Sequence, residues 1–211
     1  MKYDVVLLAG GKGTRLNLGY NKVLYKMDNG LTILENAMVP FLKDEDLSKI
    51  IVVASGADQA QIKLLPKMEF VENGKERFNS VMNGLSQVES PYVMIHDGAR
   101  PNITSEDIAH LKETLMHEEA CMLAKASKDT VKEVVDGYIV KTLDRRTIYL
   151  AQTPQCFKSA LIKEAYQAAL NSEYGFTDDA SVLEWYDSSK RIKIVDSVNS
   201  NNKITFIDDL G

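Results

Sequence analysis

Three glycines and three cations near the start of the chain carry the most legible chemistry. Gly10, Gly11 and Gly13 stand among Ala9, Lys12, Thr14 and Arg15, and Lys22 follows a short way on. Glycine opens backbone conformations closed to other residues and lets N–H groups approach a ligand, while lysine and arginine supply positive charge. Such a loop suits phosphate. Neither standard nucleotide loop fits it: a dinucleotide fingerprint needs glycine where Leu16 stands and an acidic residue about 20 positions on. A P-loop ends in Gly-Lys-Ser/Thr, whereas Lys12-Gly13-Thr14 has the pair reversed. Taken alone, the loop reads equally as a glycine-rich turn with solvated cations.

Two more segments carry candidate groups. In Glu72-Asn-Gly-Lys-Glu-Arg77, Gly74 can bring backbone against a planar base and Ser80 can point a hydroxyl at the same guest; an Asn-Gly turn before a solvated helix start is the competing reading. Asp97, in His96-Asp-Gly-Ala-Arg-Pro101, is the carboxylate that a magnesium ion with waters and phosphate oxygens requires, or else the cap of a turn. Arg100 reads as structural, fixing the loop's exit with Pro101. Cys121 and Cys156 lie in apolar surroundings without ligand spacing and read as small buried hydrophobes. His110 and His117 read as solvent-facing on a polar helix.

Apolar and β-branched runs place strands in the first half of Tyr3–Leu16 and over Lys49–Ser55, Met68–Glu72, Tyr92–His96 and Ala120–Ala126. Helical periodicity falls between them, over Leu31–Leu42 with Thr32 as N-cap, from Asp58, and over Arg77–Val88. Strands alternating with helices imply a mostly parallel sheet covered on both faces, and ligands then bind outside the strands' carboxyl ends. The glycine loop, the Asn73–Arg77 segment and the His96–Pro101 segment all follow strands, which puts them at one edge. Further on, Asp136-Gly137 centres a β-hairpin, Gln152-Thr-Pro-Gln155 reads as a polar extended link, and Lys158–Leu170 as an amphipathic helix. Thr177 reads as the N-cap of a helix Asp178–Tyr186, with both aspartates serving its dipole, and Arg191–Val195 and Lys203–Ile207 as strands.

At 211 residues and net charge −5 the chain has room for one substantial core and no general affinity for nucleic acid. Its apolar runs have strand length, no secretory segment opens it, and a cytosolic protein without membrane contact is expected.

The motifs Ala9-Gly-Gly-Lys-Gly-Thr-Arg15, Lys22, Arg77-x-x-Ser-Val-x-x-Gly-Leu85, His96-Asp-Gly-Ala-Arg-Pro101, Lys128-Asp-Thr-Val-Lys132, Gln152-Thr-Pro-Gln-x-Phe157, Thr177-Asp-Asp-Ala-Ser181 and Asn202-Lys-Ile-Thr205 resemble, in order, those of the 2-C-methyl-D-erythritol 4-phosphate cytidylyltransferases. The resemblance implies a three-layer α/β, Rossmann-like nucleotidyltransferase fold with a mostly parallel twisted sheet, one domain over 1–211, and a projecting β-hairpin arm over 127–150 that makes a homodimer. It implies CTP and a sugar-alcohol phosphate as substrates, with Mg²⁺ as cofactor. Catalytic roles fall on Arg15, Lys22 and Lys203. Nucleotide binding falls on Ala9, Gly10, Gly11, Gly13, Thr14, Gly74 and Ser80; acceptor binding on Asp97, Thr130 and Arg145, the last two reaching the neighbouring subunit's site; and metal binding on Asp97. The chain departs from the family pattern at Asn21 and Val23, where Pro-Lys-Gln is usual around the lysine, at Gly98, and in stopping at Gly211, where relatives continue into a last helix. A pentitol-phosphate cytidylyltransferase, acting on ribitol 5-phosphate for example, and a catalytically silent nucleotide-binding module are the alternatives.

Overall fold

The computed structural model describes residues 1–11, 19–206 and 209. A seven-stranded sheet forms its centre: β1 (Tyr3–Leu8), β2 (Leu47–Ala54), β3 (Met68–Glu72), β4 (Tyr92–Asp97), β5 (Ala120–Ala126), β8 (Tyr149–Lys158) and β9 (Lys193–Asp196), in spatial order β3-β2-β1-β4-β8-β5-β9. β1 pairs in parallel with β2 and β4, β2 with β3, and β5 with β9; β8 alone runs antiparallel, between β4 and β5. A separate two-stranded ribbon joins β6 (Lys132–Val135) to β7 (Tyr138–Thr142).

Because successive strand residues face opposite sides, β1 feeds two cores at once. Val5 and Leu7 pack with Leu34, Met38 and Phe41 of α1 (Ile33–Leu42) and Ile108 and Leu111 of α4 (Ser105–Leu115). Val6, between them, packs on the other face with Val81 of α3 (Arg77–Ser86), Ile162 of α5 (Ser159–Ala168) and Val182 of α6 (Asp179–Tyr186). Helices therefore cover both faces, as a parallel sheet requires. Thr32 caps α1 in a full capping box with Glu35, as its position suggested. The segment after β2 forms only a short helix, α2 (Gly56–Gln59), starting before the expected Asp58.

Four expectations need correction. Residues 149–158 form a ten-residue strand, not a polar link. Its polar centre masked it, and the pairing to β5 slips there, passing from Met122↔Gln155 to Ala124↔Ala151 around Pro154, which has no N–H to donate. The N-cap of α6 is Asp178, not Thr177: the Asp178 side chain accepts from Ser181 N–H and Ser181 returns the contact. His117 lies beyond the end of α4. No strand forms over residues 203–206; Ile207 lies outside the described residues.

The hairpin forms as its turn residues dictate. Asp136 and Gly137 both have positive φ, 50° and 82°, the conformation of a two-residue turn that matches strand twist. Among the described residues the ribbon packs on no core of its own chain: Tyr138 is 78% exposed and Ile139 65%. Both cysteines are free and fully buried, facing each other in register on β5 and β8. Among the described residues no helix is long and apolar enough to cross a membrane.

Candidate active site

The carboxyl ends of the parallel strands meet at one edge, where Leu8 of β1 and Asp97 of β4 are register partners. A cavity of about 540 Å³ opens there. Gly10 and Gly11 line it from the loop after β1, Asn73, Gly74 and Ser80 from the segment after β3, Asp97 and Ala99 from the segment after β4. Lys22, Arg77 and Lys203 bring positive charge to the same wall. Three loops separated in sequence thus meet as the sheet rule demands.

Two glycines are required by close contact. A Cβ on Gly10 would sit 2.7 Å from Asn73 Cβ, so the first and second loops touch only because that position is bare. A Cβ on Gly74 would sit 2.3 Å from Asn79 Cβ and 2.6 Å from its carbonyl carbon, against backbone that cannot swing aside. Gly74 N–H donates to Ser80 Oγ at 3.0 Å, and Ser80 O–H is 3.0 Å from Glu76 O. Ser80 therefore lines the cavity but its hydroxyl first closes its own loop. Ala9 contributes backbone: its N–H donates to Val53 O at 2.8 Å, and its carbonyl accepts from Asn21.

Asn21 is where the chain departs from the family pattern, and the structure gives it work. Its amide donates to Ala9 O at 2.5 Å and to Asp58 Oδ2 at 3.0 Å, while its Oδ1 accepts from Val23 N–H at 3.3 Å. A side chain thereby does what a ring would do for the turn that carries Lys22. Lys22 is buried, with Nζ donating to Ile204 O at 2.6 Å.

Residues 197–205 arrive as a strap across the edge. Asn201 is fully buried, its amide donating to Thr153 O at 2.9 Å and its carbonyl accepting from Arg100 Nη1 at 2.9 Å. Ile204 N–H donates to Ala99 O at 2.9 Å. These bonds deliver Lys203, whose Nζ is 2.9 Å from Asp97 Oδ2. Arg100 stands as expected in a structural role, tying strap to loop.

Asp97 is nearly buried and ringed by cations: besides Lys203, Arg100 Nε is 3.5 Å from Oδ2 and Arg77 Nε 3.9 Å from Oδ1. Burial alone would raise its carboxyl, but Lys203, Arg77 and Arg100 more than offset this and hold it well below the usual carboxylate range. That charge balance does not fit a metal held by the protein. A magnesium ion would meet three positive groups at Asp97, and among the described residues no group of three or more His, Cys, Asp or Glu forms an all-protein metal cage.

Behind Asp97 lies a chain of hydrogen bonds with one consistent direction. Asp97 N–H donates to Thr153 Oγ1 at 3.0 Å. The Thr153 hydroxyl meets His96 Nδ1 at 3.0 Å, and His96 Nε2 meets Arg100 O at 3.2 Å. A carbonyl only accepts, so Nε2 carries the proton and Nδ1 accepts from Thr153. Burial pushes His96 down to about 4, so the imidazole is neutral near pH 7.

Of the expected site residues, the fold brings Gly10, Gly11, Lys22, Gly74, Ser80, Asp97 and Lys203 to the cavity, while Ala9 does not line it. Gly13, Thr14 and Arg15, with Lys12, lie outside the described residues. Thr130 and Arg145 do not line the cavity; both are exposed at the base of the ribbon, with Arg145 Nη1 donating to Lys128 O at 3.1 Å. Sequence reasoning missed Arg77 as a site cation and the His96–Thr153 support. Arg77 carries a signal, since it opens a motif whose serine was selected; nothing local marks His96 and Thr153 as partners, 57 residues apart.

Residues 3–211 match the family described as 2-C-methyl-D-erythritol 4-phosphate cytidylyltransferase, IspD. Relatives bearing that name include one from Halalkalibacterium halodurans, 36% identical over all of this chain and 94% of its own length, and one from Lachnospira eligens, 38% identical over 97% of this chain and 94% of its own. Among solved structures, the 4-diphosphocytidyl-2C-methyl-D-erythritol synthase of Anaerococcus prevotii superimposes with a TM-score of 0.88 at 29% identity, covering 99% of this chain and 94% of its own. The 2-C-methyl-D-erythritol 4-phosphate cytidylyltransferase of Francisella tularensis superimposes with a TM-score of 0.84 at 33% identity, covering 100% and 97%.

Proposed function

The chain belongs to the 2-C-methyl-D-erythritol 4-phosphate cytidylyltransferase family, and from that premise we propose that it transfers the cytidylyl group of CTP to 2-C-methyl-D-erythritol 4-phosphate, in the non-mevalonate route to isoprenoid precursors. The observation that carries the reading is the convergence of Gly10, Gly74, Lys22, Asp97 and Lys203 on one cavity at the carboxyl edge of the sheet.

An oxygen of the acceptor's phosphate attacks the α-phosphorus of CTP. The new P–O bond forms as the bond to the β-phosphate breaks, and pyrophosphate leaves with that electron pair. The nucleophile is already an anion, so no general base is needed, and catalysis rests on positioning and on charge stabilisation at phosphorus. Lys22 and Lys203 suit that role, as does Arg15 by its motif; Gly10, Gly11, Gly13, Thr14, Gly74 and Ser80 suit the nucleotide; Asp97 suits the acceptor's hydroxyls. A divalent ion would enter with the triphosphate that it neutralises, its shell completed by phosphate oxygens and water rather than by Asp97.

Thr130 and Arg145 belong to the acceptor end of a second copy's cavity, with the ribbon within 127–150 reaching across a homodimer. The exposed Tyr138, Ile139, Val140 and Leu150 support this, because an apolar ribbon without a core needs a partner surface. Two free thiols suit the reducing cytoplasm as the compartment.

Pyrophosphate release from CTP, compared with 2-C-methyl-D-erythritol 4-phosphate and with ribitol 5-phosphate, tests the reading. Release with the first and its loss in Lys22→Ala are expected. Release only with the pentitol phosphate would transfer the assignment to that alternative, and none with either would leave a silent nucleotide-binding module.

A further inference from the structure

Arg77 opens α3 and lines the cavity, yet its strongest partner lies behind the wall. Its guanidinium meets the Asp179 carboxylate in a two-pronged pair, Nη1 to Oδ1 at 2.8 Å and Nη2 to Oδ2 at 2.7 Å. Asp179 is wholly buried, and the buried Tyr166 of α5 donates its hydroxyl to Oδ1 at 2.6 Å. The Tyr166 ring in turn stacks on Phe78, the residue after Arg77, with centroids 4.8 Å apart. On its other side Arg77 Nε faces Asp97 Oδ1 at 3.9 Å, and a third of the side chain remains open.

Helix capping does not require this arrangement. Asp178 already caps α6 with Ser181, and Gln155 already ties that helix to β8, accepting from Ala180 N–H at 2.7 Å. Stability does not require it either, since buried ion pairs are commonly matched by apolar packing of the same volume. What the pair achieves is direction: arginine's rigid fork, gripped on both prongs, leaves Nε one orientation, toward the carboxylate in the cavity.

We propose that Asp179 and Tyr166 are positioning residues that aim Arg77 at Asp97, fixing the orientation in which Asp97 receives the hydroxyls of the acceptor. The proposal rests on the cytidylyl-transfer reading and adds to it a line of control from α6 to the acceptor end of the site. Asp179 acts through Arg77, and Arg77 acts through Asp97. Tyr166 shares the carboxylate and sets its place.

Steady-state kinetics of Asp179→Asn, Asp97→Asn and the double variant test it. Asp179→Asn is expected to lower kcat/KM for the acceptor 10- to 100-fold, with the KM for CTP within about threefold of wild type. In the Asp97→Asn background the same substitution should cost almost nothing, because its route is already cut. Additive losses, or unchanged acceptor kinetics in a folded Asp179→Asn, would overturn the proposal. Tyr166→Phe, which leaves packing intact, should give a smaller loss of the same kind, and an equal fall in CTP binding instead would mark a structural role. A readout free of turnover, in ¹⁵N-labelled protein, is the resonance of the Arg77 Nη1–H, which donates to Asp179 and is expected to be protected from exchange in wild type and exposed in Asp179→Asn; an unprotected wild-type signal would refute the geometry. A wild type that uses neither acceptor would fail the functional reading while this resonance still reported on the pair.

Discussion

Acidification from pH 7 to 4.5 should weaken the fold through His96 in a way that one substitution can isolate. The ring is fully buried, with Nδ1 accepting from Thr153 and Nε2 donating to Arg100 O, so a second proton would bury a charge and strip the Thr153 hydroxyl of its acceptor. Its pKa is pushed down to about 4 by that burial, against an ordinary 6.5. Between those values the unfolded chain takes a proton there and the folded chain does not. The contribution is therefore complete above pH 6.5 and is lost as the pH falls toward 4. The whole window is worth about 3 kcal/mol, and the step from pH 7 to 4.5 about 2 kcal/mol. Asp97, held far lower, loses its contribution only below the usual carboxylate value of 3.8, outside this window. The assay is urea unfolding of wild type and His96→Asn at both pH values. With a slope near 2 kcal/mol per molar urea, the wild-type midpoint should fall roughly 1 M further than that of the variant. Equal falls in the two proteins would refute a buried neutral imidazole.

Other expectations follow from the same geometry. Lys203→Met should leave the fold in place and lower kcat on the order of 100-fold, the worth of one transition-state contact; pyrophosphate release at saturating substrates reads it. Gly74→Ala forces a methyl onto Asn79 backbone at 2.6 Å and should cost about 1–3 kcal/mol of stability, with a raised KM for CTP; an unchanged thermal midpoint and KM would show that the segment yields. Ile139→Asp, on the exposed ribbon, should shift the mass measured by light scattering at micromolar concentration toward that of one chain and lower activity with it. An active monomer would contradict the shared site.

Much of the architecture is local, and local chemistry is legible. Short apolar runs set the strands Met68–Glu72 and Ala120–Ala126 residue for residue, Thr32 announced its helix, and Asp136-Gly137 announced its hairpin. The sheet rule puts three loops at one edge, and with them Gly10, Gly74 and Asp97. These features depend on residues within about four positions of one another, where periodicity and turn preference operate.

What only the tertiary structure decided are the features whose energetics depend on distant partners. β8 was hidden because Gln152, Thr153 and Gln155 are polar in a strand's centre. They are tolerated there since Gln152 reaches Ser200 O at 2.8 Å, Gln155 reaches Asp178 Oδ2 at 2.8 Å, and Thr153 joins His96 to Asp97. Asp179 read as a helix-dipole residue; its grip on Arg77 spans 102 positions. In sequence a carboxylate looks alike whether it faces water, an ammonium or a guanidinium. Burial and neighbouring charge set what it does, and the fold alone supplies both.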